Sequence, residues 1–224
     1  MFEEQKKELR VIMKKKLAGM SDDERREKSA AILARVLKSK AYKKSETVLA
    51  YASFGAEVAT DGLLERVLKD SKRLALPRLN PFDNTLVIHE VTDLATQLDV
   101  NKFNIREPRA NLPVLDLKQI QLILVPGLAF DEYGNRLGRG LGCYDKLLVD
   151  AESKTKIIAL AFDLQILDEF EIPADFNDFP VDLILTESRR INPDTLLNAF
   201  YEENKEMIDS IVDQMEDEEL EDAE

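Results

Sequence analysis

The 224-residue chain predicts a single three-layer α/β domain with a mainly parallel central sheet. Three observations carry that expectation. IQLILVP (120–126), KIIALAF (156–162) and VDLILTE (181–187) are nearly continuous apolar runs, the pattern of strands covered on both faces. Helical periodicity falls between several strand-like runs, as βαβ connections require. An apolar fraction of 44% supplies a core and sets the chain apart from disordered sequences. Together they point to an open sheet of the Rossmann-like kind over residues 1–201, followed by an acidic tail, 202–224.

The elements follow in order. Residues 3–18 are rich in Glu, Lys and Leu, good helix formers, with Leu9, Ile12, Met13 and Leu17 spaced to bury one stripe. Lys6, Arg10 and Lys14 recur every fourth residue on an adjacent face. Periodicity alone reads that face as a solvated basic edge. Ser21 and Glu24 form a capping-box pattern, which predicts a helix from Asp22 to Lys38 burying Ala30, Leu33, Ala34 and Leu37. TVLAYAS (47–53) reads as a short strand, and Thr60 or Asp61 can cap a helix running through Leu68. RLALP (73–77) and TLVIHEV (85–91) read as strands, and 108–113 as loop. Further helices are expected at 144–153 and 193–201.

Charge sharpens the division into body and tail. From Glu202 to Glu224 twelve acidic residues face one lysine, so the tail carries −11 of the formal −13 and the body only −2. The body's charge therefore does not argue against phosphate-bearing ligands. Ile208, Ile211, Val212 and Met215 keep helical spacing, so a helix fraying into a disordered acidic end is expected. A single cysteine excludes a disulfide framework and a cysteine-only zinc site. The start, MFEEQKKELR, shows no apolar signal segment, and no apolar run approaches the roughly 18 residues a membrane helix needs. The expectation is a soluble, cytoplasmic protein.

Chemistry concentrates in VPGLAFDEYGNRLGRGLGCYDKLL (125–148), which leaves a buried strand and re-enters helix near Cys143 and Tyr144. Between them lie Gly134, Gly138, Gly140 and Gly142. In open α/β sheets ligands bind at the carboxyl ends of strands, and glycines there let backbone N–H groups approach an anion. Arg136 and Arg139 can make bidentate phosphate contacts, and Asp145 is near enough to hold Mg²⁺ against the same phosphates. The block matches neither of the common phosphate-loop patterns, so a glycine-rich turn with two exposed arginines stands as the alternative.

The string F-D-x-x-G-N-R-L-G-R-G-x-G-x-Y-D closely resembles the defining motif of the 5-formyltetrahydrofolate cyclo-ligase family, also called 5,10-methenyltetrahydrofolate synthetases. The resemblance covers about residues 3–190 and includes, in order, Lys6-x-x-x-Arg10, Glu57-x-x-Thr60, and Asp178 with Asp182. It implies a single α/β domain that uses Mg²⁺ and the co-substrate ATP to convert 5-formyltetrahydrofolate to 5,10-methenyltetrahydrofolate, releasing ADP and phosphate. It assigns ATP to Lys6, Arg10, Arg136, Leu137, Gly138, Arg139, Gly140, Leu141, Gly142, Cys143 and Tyr144. It places the folate against Ala52, Phe54, Glu57, Phe103, Arg139, Gly140, Gly142 and Cys143, and Mg²⁺ at Asp145 and Asp178. Arg139, Lys6 and Asp145 become the catalytic set. Small molecules are the implied partners, with no nucleic acid or membrane, and the protein is expected to be a monomer.

One position departs from the pattern. Where the family has G-Y-Y-D, this chain reads Gly142-Cys143-Tyr144-Asp145, which bears on substrate packing and not on phosphate chemistry. Cys143 reads either as a small buried hydrophobe or as a thiolate favoured by a helix start and two arginines. The lone histidine, His89, lies in a strand-like run and reads as structural. Two rival functions stay open: a catalytically silent nucleotide- or folate-sensing module, and a sugar-phosphate isomerase on a similar fold.

Overall fold

The computed structural model describes residues 2–168, 171–174 and 178–193. The helix expected at 193–201 lies, beyond Pro193, outside the described residues, as does the acidic tail. Three helices come first: α1 (Phe2–Ala18), α2 (Asp22–Lys38) and α3 (Lys40–Lys44). The central sheet then begins with β1 (Thr47–Leu49), and α4 (Asp61–Lys69) connects it to the hairpin of β2 (Arg73–Asn80) and β3 (Thr85–Val91). A two-stranded ribbon follows, β4 (Leu98–Val100) and β5 (Arg106–Pro108). After β6 (Leu122–Val125) come β7 (Ala129–Asp131), β8 (Arg136–Leu137) and α5 (Cys143–Val149). The described chain finishes with β9 (Lys156–Leu160), β10 (Ile166–Leu167), β11 (Leu183–Leu185) and β12 (Arg190–Ile191).

Seven strands form the main sheet in the order β12-β11-β9-β6-β1-β2-β3. The inner pairings are parallel, and the two edge strands, β3 and β12, run antiparallel to their neighbours. Consecutive residues of the inner strands point into different apolar layers. Val48, Leu122, Leu124, Ile158 and Leu160 pack with Met13 and Leu17 of α1, Ile32 and Val36 of α2, and Leu63, Leu64 and Val67 of α4. Leu49, Ile123, Val125, Ile157 and Ala159 join Phe130 and, from α5, Leu148. This double coverage explains why the strands read as unbroken apolar runs, and it makes the domain three-layered.

Local chemistry fixes several boundaries. The Ser21 hydroxyl accepts the Glu24 N–H at 3.2 Å, so α2 begins where the capping pattern places it. Its buried face is shifted: Ser29, Ile32 and Val36 are buried, whereas Ala30 and Ala34 are exposed. Ser29 can face inward because its hydroxyl accepts the Ala59 N–H at 2.9 Å, a partner invisible to periodicity. On α1, Met13 and Leu17 are buried but Ile12 is 51% exposed, and the inward position one turn before Leu9 belongs to Lys6. The strand expected over 47–53 stops at Leu49. Thr60 donates to the Tyr51 carbonyl at 2.6 Å and accepts the Ser53 N–H at 3.1 Å, drawing that segment out of the ladder. Thr60 therefore precedes α4 without capping it through its side chain. His89 is buried, with Nδ1 3.0 Å from the Leu112 carbonyl oxygen, a structural contact. Among the described residues no helix is long and apolar enough to cross a membrane.

Candidate active site

A cavity of about 830 Å³ opens at the carboxyl ends of β1 and β6. Its floor is made where those strands stop: Tyr51, Ala52, Phe54 and Glu57 after β1, Pro126 and Gly127 after β6. The glycine-rich segment from Arg136 to Asp145 forms one side, and α1 closes another with Lys6 and Arg10. Asp178 joins from the segment before β11. All the expected site residues except Phe103 thus line one space.

The motif divides into a framework and a working part. Asp131 is buried and its carboxylate accepts the Tyr133, Asn135 and Ile172 N–H groups and the Asn135 side-chain amide, all at 2.9–3.1 Å. Gly134 has φ +90°, and a Cβ there would lie 2.7 Å from the Val181 carbonyl oxygen. Asp131, Gly134 and Asn135 therefore build the tight β7–β8 turn that presents Arg136, and none of them lines the cavity.

Arg136 is buried, and its guanidinium meets the Asp145 carboxylate at 2.6 Å and lies over the Tyr144 ring at 5.4 Å. Arg10 donates from Nε to the Gly138 carbonyl at 3.1 Å, which docks α1 on the loop. Gly140, at φ +105°, holds a backbone conformation that side chains rarely adopt, and it lies against that guanidinium. Lys6, only 5% exposed, meets Asp178 at 2.5 Å. The face read as a solvated edge is accordingly split, with Lys6 buried, Arg10 half-buried and Lys14 exposed. Arg139 bonds Glu57 at 3.0 Å and lies 4.2 Å above the Phe54 ring. Glu57 also accepts the Phe54 N–H at 3.2 Å. Burial pushes the Glu57 carboxyl above the usual range, with Arg139 and the Phe54 N–H pulling against it. Burial likewise raises the Tyr51 and Tyr144 hydroxyls, reinforced by the charge of Glu57.

Two of the expected site residues stand apart from the rest. Cys143 lines the cavity, and burial pushes its thiol up, outweighing Lys146 and Arg136, which favours the small buried hydrophobe over the thiolate. Phe103 is 58% exposed beneath the Lys102 ammonium and does not line the cavity. The β4–β5 ribbon contributes Asn101, Ile105, Arg106 and Glu107 instead. Glu107 is buried, bonded to Arg78 at 3.3 Å and Asn101 at 3.2 Å. This wall was missed because nothing local in the ribbon's sequence shows that it folds back on β2.

No group of three or more His, Cys, Asp or Glu side chains among the described residues could hold a metal ion by itself. Asp145 and Asp178 line the same cavity beside cations suited to phosphate. Two carboxylates of this kind fit Mg²⁺, a hard ion bound through one or two carboxylates together with substrate phosphates.

Known proteins resemble this chain in sequence and fold. The mouse 5-formyltetrahydrofolate cyclo-ligase is 32% identical over 191 residues, spanning 81% of this chain and 93% of the mouse protein. The Escherichia coli K12 cyclo-ligase is 33% identical over 147 residues, 65% of this chain and 80% of its own length. The NMR structure of Aquifex aeolicus 5,10-methenyltetrahydrofolate synthetase superposes with a TM-score of 0.73 at 32% identity, covering 84% of this chain and 92% of that one. The family model of the 5-formyltetrahydrofolate cyclo-ligases matches residues 2–187, the span that contains the sheet as far as β11, the β7–β8 turn and the residues lining the cavity, and the chain belongs to that family.

Proposed function

We propose that this enzyme converts 5-formyltetrahydrofolate to 5,10-methenyltetrahydrofolate with Mg²⁺-ATP, through a phosphorylated formyl intermediate, releasing ADP and phosphate. The observation that carries the reading is the convergence of Lys6, Arg10, Arg136 and Arg139 with the buried acceptor Glu57 on one cavity. A formyl oxygen is a poor leaving group. Its attack on the γ-phosphorus, with ADP departing, makes an imino-phosphate. N10 then attacks the formyl carbon and inorganic phosphate leaves.

Phosphoryl transfer asks a protein mainly for positioning and charge neutralisation. Arg10, fixed by the Gly138 carbonyl, and Arg136, fixed by Asp145, hold defined orientations toward the cavity. Arg139, assigned to both ATP and folate, touches the Phe54 ring and Glu57, two of the residues assigned to the folate, and so can join the two ligands. Asp145 and Asp178 would hold Mg²⁺, which supplies neutralisation of phosphate-oxygen charge when bound. Leu79, Leu86 and Ile105 give part of the cavity an apolar wall, which suits an intermediate prone to hydrolysis.

The test is ATP- and Mg²⁺-dependent growth of the near-ultraviolet absorbance of the methenyl product. Absence of product would favour the silent sensing module, and product without ATP would overturn the phosphorylated intermediate.

A further inference from the structure

We propose that Glu57 is the base that removes the N10 proton during ring closure. The proposal rests on the reaction just described and adds a catalytic residue to it.

Ring closure needs a proton acceptor. The N10 lone pair forms the new C–N bond to the formyl carbon, the C–O bond to phosphate breaks with its electron pair leaving on oxygen, and the N10–H proton must go elsewhere. If it stays, N10 remains a poor partner for the amidinium of the product, whose charge is shared between N5 and N10. A fixed carboxylate is a better acceptor than water.

Glu57 is placed for that step. It is bonded to Arg139, the guanidinium assigned to the phosphoryl group, so it lies one side chain from the reacting end of the cavity. N10 and the phosphorylated oxygen are both bonded, in the transition state, to the same formyl carbon, so the acceptor paired with the arginine assigned to the phosphoryl group lines the same cavity in which N10 reacts. Its side chain is 8% exposed, and the Phe54 N–H and Arg139 hold its two oxygens. The groups facing it are Arg139, the Phe54 N–H, Tyr51 and Tyr144. Arg139 keeps the carboxylate charged, whereas burial makes it more basic than an exposed one. Both tyrosine hydroxyls hold their protons more tightly than usual, so neither competes as the base.

The distinguishing measurement is rapid mixing of Glu57→Gln with excess ATP, Mg²⁺ and 5-formyltetrahydrofolate, following ADP and methenyl product separately. The expected result is a burst of about one ADP per enzyme followed by methenyl formation slowed on the order of 10²-fold, with no loss of melting temperature. Glu57→Asp, which keeps a carboxylate, should recover part of the ring-closure rate. If ADP and methenyl formation slow together, or if Asp recovers no more than Gln, Glu57 serves binding alone and the base assignment falls. A wild-type chain yielding ADP but no methenyl product would instead overturn the reaction reading itself, together with the proposal that rests on it.

Discussion

Arg139 makes two planar contacts at once, over the Phe54 ring and onto Glu57. A lysine keeps the charge but loses both geometries. Arg139→Lys should fold normally yet lose turnover on the order of 10²–10³-fold, the usual cost of one charge-stabilising donor; near-wild-type kcat would make Arg139 a surface charge. Asp145, proposed as a Mg²⁺ ligand, is also the partner of the buried Arg136. Asp145→Asn should raise the Mg²⁺ concentration needed for half-maximal rate and lower the melting temperature, since a buried cation loses its counter-charge. An unchanged Mg²⁺ titration would remove Asp145 from the metal site. Cys143 gives a pH signature. Burial raises its pKa, so the reactive thiolate is scarce at neutral pH and appears only above the ordinary thiol range. Alkylation should be slow near pH 7, climb steeply in alkali, and slow further when Mg²⁺-ATP is added; fast labelling at neutral pH would contradict that environment. Residue types were legible from the motif, but partners were not. Lys6 with Asp178 and Arg139 with Glu57 join positions too far apart in sequence for local spacing to reveal.

At the scale of elements, end signals worked where a side chain acts on its own backbone. The Ser21 cap marks the start of α2 because the N–H it accepts is only three residues away. The same locality failed for Thr60, whose hydroxyl is taken by the strand end before it. It also failed for the buried face of α2, where Ser29 answers to Ala59. Ser21→Ala should accordingly cost about 1 kcal/mol of stability with no effect on kcat. Gly134→Ala is the sharper test of the β7–β8 turn. A Cβ at φ +90° would press on the Val181 carbonyl, and the Gly134 carbonyl accepts the Val181 N–H at 3.0 Å. Denaturant titration should show a loss of ~1–3 kcal/mol from strain and overpacking. Turnover should fall as well, because the turn aims Arg136. Retained stability would mean that the turn shifts freely.

The whole molecule brings the start of the chain, the end of β1, the β4–β5 ribbon, the glycine-rich segment and the approach to β11 around one space. The sheet itself was readable because strands covered on both faces leave long apolar runs. The assembly of the cavity was not, because nothing local in Asn101 or Glu107 shows which strand they will meet. α1 couples the two levels: Met13 and Leu17 anchor it in the core, while Lys6 and Arg10 face the cavity. The Lys6–Asp178 contact spans 172 positions. On a ribosome adding ~5–20 residues per second, that separation corresponds to roughly 10–30 s. During that interval α1 has left the exit tunnel while the aspartate that completes its pairing has not yet been made. The cavity is therefore completed late in synthesis, and a chain that stops short of Asp178 would carry the glycine-rich loop yet leave Lys6 without the carboxylate it meets.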